Sequence, residues 1–594
     1  MLGAVKELGQ HIIDINKKDV LDVLIEDPNS TGNYKNVITI NLEQNGQDVV
    51  SFLNTKLEDY DNTKKMEYLY RRGSGTGSDF SPTAKLSGKP EGTFDRKILG
   101  WFKILDEKDT RLSEEDRDFL SSIRSELEKN SDYIKEEIVN YRESIPKKDG
   151  ILLTLKIHQN GTEKYVGEFP VFRNLLIEQV NKKDEKLLVK DKVCSLCGEK
   201  KDTILGNIDT YAFYTNDKPG FIIGKFDQKK SWRNFPVCSD CKIALEEGKK
   251  YIEENLTFKF CGIRYNLIPK FIIGTEEIQE EIIEIFTNTS KLVSLKEERM
   301  VSITGDEEDI LAILKDVQDT ITLNFLFVQK IQAAERILLL IEDVFPSRIR
   351  QIFDAKYMVD EVYENNFTFR SIRNFFSKSD KNKRNYDLDK YFLDIIDRIF
   401  KDRAIGYHFI LKFIMKKIRD EFINDGYFNF AVKDGLMTIA FLEKLKLIKM
   451  EESEMEERVF DEMFHKYGLT FETPLKRGLF LLGSLTELLL RKQYRDRESK
   501  PFLKNLKSLK MNEKDFKGLL PKVQNKLEEY DSFDKGKRIV AKEASNYLLL
   551  SGDDWKMPVD ELNFYFASGM NLIDEVIKII YPDKELAKEA MEQK

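Results

Sequence analysis

Histidine is nearly missing from this chain: four occur in 594 residues, at His11, His158, His408 and His465. None is followed by aspartate, so the His-Asp dyad of metal-dependent phosphohydrolases is absent. No H-E-x-x-H, G-x-S-x-G or HNH-type cluster occurs either. A G-x₄-G-K-[ST] phosphate loop is also lacking, and the many carboxylates show no spacing that singles out a catalytic pair. Long apolar runs are lacking as well. The longest stretch without a charge covers residues 562–573, against the roughly 20 residues needed to span a bilayer. The first ten residues carry Lys6 and Glu7 where a secretory signal would have its apolar segment. These absences point to a soluble, cytoplasmic chain that is not an enzyme.

Cysteine is scarce too, yet its placement is informative. Of five cysteines, four form two C-x₂-C pairs, Cys194-Ser-Leu-Cys197-Gly198 and Cys238-Ser-Asp-Cys241. Each C-x₂-C turn puts two thiolates on one side of a knuckle, and two knuckles complete a tetrahedral S₄ shell suited to zinc. Gly198 follows the first pair, where the turn wants positive φ. Ser239 and Asp240 are candidate caps for a helix over 242–254. Redox C-x-x-C pairs occur singly beside a βαβ pattern, which is not evident here. No histidine lies between Cys194 and Cys241, so the expected zinc is structural rather than catalytic. Cys261, in Phe258-Lys-Phe-Cys-Gly-Ile-Arg-Tyr265, reads as a buried small side chain on a strand.

With 41% hydrophobic residues and this length, the chain exceeds one core and should divide into at least two domains. Residues 1–290 read as mixed α and β. Positions 37–42 and 151–158 alternate like strands, the latter after a turn at Lys147-Lys-Asp-Gly150. Residues 113–144 read as helix, opened by Ser113 with acid in its first turn. Beyond residue 290 the pattern is mainly helical, as at Phe392, Ile395, Ile396 and Ile399 and at Leu481, Leu482, Leu485, Leu488 and Leu489. The fold class expected is therefore α+β, with the four-cysteine module embedded in a mixed N-terminal region and a mainly α-helical C-terminal region. The domains expected are 1–190, 191–290, 291–450 and 451–594.

Net charge is −8, which alone argues against a simple basic nucleic-acid binder, but the charge is uneven. Residues 370–420 hold 14 Lys/Arg against 7 Asp/Glu, and residues 476–526 hold 14 against 5. Solvated helix faces account for such runs as readily as phosphate contacts do. Within the first, Lys378, Lys381, Lys383 and Arg384 form one candidate strip. Within the second, the candidates are Arg491, Lys492, Arg495, Arg497, Lys500, Lys504, Lys507 and Lys510. Two loops add Arg71 and Arg72, beside a glycine-rich run, and Lys229, Lys230 and Arg233, beside Trp232. His408, next to Tyr407 and Phe409, reads as a packing residue. Gly552-Asp553-Asp554 evokes a two-metal palm, but it lacks flanking strands and reads as a turn between helices.

Four stretches together carry a family resemblance. They are Tyr68-Leu-Tyr-Arg-Arg-Gly-Ser-Gly-Thr-Gly-Ser-Asp-Phe-Ser-Pro-Thr83, the paired cysteine knuckles, residues 482–493 ending Leu-Leu-Leu-Arg-Lys-Gln, and Lys500-Pro-Phe-Leu-Lys-Asn-Leu506. Spread along most of the chain, they resemble the large subunit of the type I-B CRISPR Cascade effector. The resemblance implies a non-catalytic subunit beside the crRNA 5′ handle that recognises the protospacer-adjacent motif in target double-stranded DNA. It also implies stabilisation of the opened R-loop with its displaced single strand, and help in recruiting the helicase-nuclease. The partners implied are crRNA and the backbone, handle-binding and small subunits, with no membrane. The C-terminal helices resemble a small subunit, which some members also make from an internal start, for which Met437, Met450, Met455 and Met463 are placed. Two alternatives stay open. One is a type III-like large subunit with nucleotide cyclase activity, though Ser551 stands where its Gly-Gly-Asp-Asp motif has the first glycine. The other is a zinc-containing helical scaffold with no nucleic-acid role.

Overall fold

The computed structural model describes residues 1–29, 32–45, 49–73, 77–86, 88–106, 112–159, 161–185, 187–206, 208, 210–211, 213, 227–272, 321–331, 334–376, 387–449 and 458–582. Contacts gather the chain into two units. Unit 1 comprises Met1–Thr257, Asn266–Lys270 and Gln329–Arg336, and unit 2 comprises Phe258–Tyr265, Phe271–Val328 and Ile337–Lys594. Among the described residues, the α-helices of eight residues or more are α1 (Leu2–Asn16), α2 (Glu114–Lys129), α3 (Ser131–Ser144), α4 (Pro170–Glu185), α5 (Ser239–Asn255), α6 (Pro346–Tyr363), α7 (Asp389–Phe400), α8 (Tyr407–Ile423), α9 (Phe428–Lys444), α10 (Pro474–Arg497), α11 (Leu519–Glu529), α12 (Lys535–Leu550), α13 (Val559–Asn571) and α14 (Ile573–Ile580). Among the described residues no helix is long and apolar enough to cross a membrane.

Unit 1 is built on a five-stranded sheet from β1 (Tyr34–Asn45), β2 (Val49–Asp59), β3 (Ala84–Lys85), β4 (Gly150–Gln159) and β5 (Thr162–Tyr165). Its order is β2-β1-β4-β3, with β5 also on β4; β1 runs antiparallel to β2 and parallel to β4. Ile38, Ile40 and Leu42 of β1 and Ile151, Leu153, Leu155 and Ile157 of β4 bury one face against α2, α3 and α4. The opposite face packs Val37 and Leu152 against Tyr68, Tyr70 and Tyr165, and beside them buries the polar Thr39, Asn41, Thr154 and Lys156, which must find partners. Lys156 Nζ sits 2.5 Å from Glu58 and 3.1 Å from Glu163, and Thr83 and Thr154 share a 2.7 Å hydrogen bond. The helix expected over 113–144 is two helices. Ser113 caps the first as expected, accepting from the Asp116 N–H, and Asn130 ends it by donating to the Glu126 carbonyl.

Four further strands, β8 (Thr257–Phe260), β9 (Ile263–Phe271), β10 (Ile321–Ile331) and β11 (Ala334–Val344), form a sheet of order β11-β10-β9-β8; β6 and β7 belong to the cysteine module below. Two expectations are corrected here. Cys261 does not lie on a strand. With Gly262 it makes a two-residue hairpin turn, at φ 50° and 79°, the geometry of a type I′ connection, although its side chain is buried as expected. The 291–450 region, expected to be helical, includes the two long strands β10 and β11. Residues 321–327 are buried on both faces, so alternation is erased, and the leucines at 338–340 look as helical as they do extended.

From Pro346 onward the described chain is helical. Unit 2 is organised around α10, which packs on α12 and α13. At the α10–α13 crossing, a Cβ on Gly569 would lie 1.8 Å from the Phe480 carbonyl oxygen, and one on Gly483 would lie 1.9 Å from that of Phe566. The backbones touch because neither residue has a side chain. Gly569→Ala is therefore expected to destabilise the helical unit by about 3 kcal/mol through overpacking, read as a fall in the urea midpoint by circular dichroism. A buried ion pair lies nearby. Arg477 Nη1 is 2.8 Å from Asp461, its Nε donates to the Phe471 carbonyl, and the Tyr547 hydroxyl donates to Asp461.

The expected boundary at 450 falls inside unit 2. The Tyr407 and Tyr565 hydroxyls meet at 3.0 Å, joining α8 to α13, and Gly435 of α9 makes room for the Phe564 ring. A chain begun at an internal start would expose those faces. Met437 is buried within α9 and Met463 lies in the short helix Asp461–Lys466, while Met450 and Met455 lie outside the described residues.

Candidate metal centre and nucleic-acid interface

The two C-x₂-C pairs come together although 40 positions of sequence separate Cys197 from Cys238. Strands β6 (Leu188–Val193) and β7 (Lys200–Leu205) pair antiparallel and carry the first knuckle between them. The Gly198 N–H donates to the Cys194 carbonyl to close it, and Gly198 adopts φ 74°, the positive value the turn requires. Val237 bridges to Leu205 through two backbone hydrogen bonds of 2.9 and 3.0 Å, and Ser195 donates to the Pro236 carbonyl. This fixes the second knuckle against the first. Cys238 is the N-cap of α5 and has no side-chain cap bond, so the capping expected of Ser239 and Asp240 is not made. A thiolate at that position instead faces the positive end of the helix.

The four Sγ atoms lie within 4.8 Å of one another, with Cys194, Cys238 and Cys241 buried. Tetrahedral coordination at a metal–sulfur distance of ~2.3 Å sets sulfurs ~3.8 Å apart, so the donor set and spacing fit one metal ion. Burial works to raise the Cys194 thiol, but N–H groups of Cys197, Cys238 and Leu196 outweigh it and hold the pKa at about 7. Burial pushes Cys241 and Cys238 up, and for Cys241 the neighbouring thiols add to the rise. Stacking four thiols in one small site is unfavourable until a cation joins them. Helix α5 is itself pinned to α1 by a close crossing, since a Cβ on Gly9 would lie 1.8 Å from the Ala244 carbonyl oxygen.

Beside the module, Lys192 Nζ lies 4.3 Å and the Arg233 guanidinium 5.5 Å from the Trp232 ring centroid. The protein's own cations thus already engage that ring. Lys230 is exposed and 3.8 Å from Asp227, while the Lys229 side chain lies outside the described residues. The Arg71–Arg72 pair splits. Arg71 is largely buried, donating to the Leu24 carbonyl and to Glu246, so it braces α5 and is a poor phosphate ligand, whereas Arg72 is exposed. The strip of Lys378, Lys381, Lys383 and Arg384 lies outside the described residues.

The C-terminal candidates also divide. Carboxylates engage Arg491 (Asp574, 2.7 Å), Lys492 (Asp496, 3.0 Å), Lys500 (Glu487, 4.0 Å) and Lys507 (Asp515, 2.6 Å). Arg497 lies over the Tyr530 ring at 5.0 Å. Arg495, Lys504 and Lys510 are exposed and have no carboxylate partner among the described residues. Lys504 and Lys510 flank a turn in which Lys507, Ser508 and Leu509 all take positive φ. Left-handed backbone costs non-glycine residues ~1–2 kcal/mol each. The turn is held by the buried Leu506 and Leu509 side chains and by Arg419 Nε donating to the Leu509 carbonyl.

Gly552-Asp553-Asp554 lies between α12 and α13, with no strand on either side. His408 is not the packing residue expected: its side chain is exposed, with Nδ1 3.7 Å from Glu561. Three family models match the chain. They describe the N-terminal, central and C-terminal domains of CRISPR-associated protein TM1802, over residues 1–178, 191–344 and 367–584 respectively. No curated protein matches it.

Proposed function

The chain belongs to the CRISPR-associated protein TM1802 family, and from that membership we propose that it is the non-catalytic large subunit of a type I-B Cascade complex. In this role it recognises the protospacer-adjacent motif in target DNA, steadies the opened R-loop and helps to recruit the helicase-nuclease. Its partners are crRNA, target duplex with its displaced strand, and the backbone, handle-binding and small subunits, in the cytoplasm. Guide–target pairing reads the sequence, so the subunit itself needs only contacts to the motif and to the phosphate backbone. The observation that carries the proposal is the family match across all three parts of the chain. Exposed cations at 495–510 in a chain of net charge −8 support it. The aspartates of 553–554, set in an inter-helix turn, count against the cyclase alternative.

We assign the four cysteines to zinc, since four thiolates form a soft donor set with no open position and no redox demand. When bound, the ion supplies cross-linking and no chemistry. Cys194, Cys197, Cys238 and Cys241 hold β6, β7 and the start of α5 together. Co-expression of the tagged chain with crRNA and the remaining subunits tests the assignment of role. Stoichiometric crRNA and repeated backbone subunits are expected to co-purify, and binding should be tighter for targets bearing the adjacent motif. A chain recovered alone, free of RNA, from cells making all the components would sink it.

A further inference from the structure

A ring cluster lies on the helices of unit 2 away from both the cysteines and the 495–510 cations in sequence. Phe376, just past the short helix Phe369–Phe375, is fully buried and backs Phe413 of α8 at 4.7 Å. Tyr391 of α7 lies 5.5 Å from Phe413 and 5.9 Å from Phe409, and Phe409 lies 5.2 Å from Phe413. The cluster opens outward: Tyr391 and Phe413 are half-buried, and Phe409 is 38% exposed.

Its rim is cationic. Lys390 Nζ lies 4.8 Å over the Tyr391 ring, and Lys412, one turn on from Phe409, is exposed with no carboxylate partner among the described residues. The first turn of α8 carries no acid. Nearby carboxylates are already engaged, Asp389 by Arg373, Asp394 by Arg398 and Glu421 by Lys417. An apolar partner would be met by unneutralised lysines, and an acidic peptide would leave the rings unused. A polyanion with flat faces satisfies both features.

We propose that the Tyr391–Phe409–Phe413 surface, rimmed by Lys390 and Lys412, is a stacking platform for unpaired nucleotides of single-stranded DNA. The choice of DNA over RNA rests on the large-subunit role; the stacking itself does not. Phe376 stiffens the platform from behind, so little side-chain entropy is lost when a base docks on the Phe409 edge.

Fluorescence anisotropy of labelled oligo(dT) with the full chain across a salt series tests this. Phe409→Ala is expected to weaken binding about tenfold with an unchanged salt slope, because stacking releases no counterions, and Phe409→Trp should retain affinity. Lys412→Glu should instead lower the slope by about 0.7. An unchanged urea midpoint in each variant separates loss of stacking from loss of fold. Unaltered oligo(dT) binding by Phe409→Ala, an equal loss for duplex DNA, or a preference for oligo(U) would each overturn the proposal. If Phe409→Ala fails while crRNA still co-purifies, the platform falls and the large-subunit role stands. The reverse pattern removes only that role.

Discussion

Replacing Cys238 with serine is expected to strip the metal from the chain and to cost it folding or assembly before any nucleic-acid contact is touched. Elemental analysis of the purified wild-type protein should find about one zinc per chain, as one S₄ site holds one ion. Structural zinc binding carries an apparent free energy of ~10–16 kcal/mol, as large as the whole stability of a typical domain at ~5–15 kcal/mol. Its loss here would release β6, β7 and the N-terminus of α5, whose junction otherwise rests on a few backbone bonds at Leu205, Val237 and Ser195. With the metal gone, Cys194 and Cys241 are left buried beside a serine. Cys261 supplies the control. It is buried in the β8–β9 turn and outside the four-sulfur cluster, so Cys261→Ser should keep the zinc and most of the stability. Metal should also leave as pH falls, because every released thiolate takes up a proton. Cys194, held at about 7, is the last of the shifted thiols to protonate. A Cys238→Ser protein that keeps its zinc and its urea midpoint would contradict the structural role.

The cysteine site was legible because its signal is chemical: thiols at C-x₂-C spacing have few uses, and Gly198 marks the turn independently. Strands β1 and β4 and the Ser113 cap were legible because they obey local rules. What stayed hidden depends on tertiary contacts. Strands β10 and β11 lose their alternation because both faces are buried. The hairpin at Cys261 is visible only once Cys261 and Gly262 are seen with positive φ. Arg71 looked like a free cation in a glycine-rich loop, but Glu246, distant in sequence, and the Leu24 carbonyl claim it. The ring cluster at Tyr391, Phe409 and Phe413 is hidden in the sequence because aromatic residues on a helix normally mean core. Lys412 and Lys416, interleaved with Phe409 and Phe413, were the signal available.

Reversing Arg495, Lys504 and Lys510 to glutamate together is expected to reduce the affinity of the assembled complex for target DNA by about two orders of magnitude near physiological salt. The slope of log affinity against log salt should flatten by about 2–3, close to one counterion per lost phosphate contact. Of the eight candidate cations, the other five already lie against a carboxylate or, for Arg497, over the Tyr530 ring. A lysine held 2.6 Å from a carboxylate, as Lys507 is from Asp515, presents a nearly neutral pair to an approaching phosphate and must break that pair to bind. Arg495, Lys504 and Lys510 face no such competition among the described residues. The strained turn at Lys507, Ser508 and Leu509 strengthens the case, since backbone in a sparsely populated region persists only where its surroundings over-determine it and clusters where ligands are clamped. Lys492→Glu is the matched control. It places like charge beside Asp496 on the same surface but removes an engaged cation, so its effect on DNA binding should be several-fold at most. Equal losses from the triple variant and from Lys492→Glu would mean that net charge alone governs binding. An unchanged affinity and salt slope in the triple variant would make the 476–526 excess of 14 cations over 5 acids a solvated face and no more.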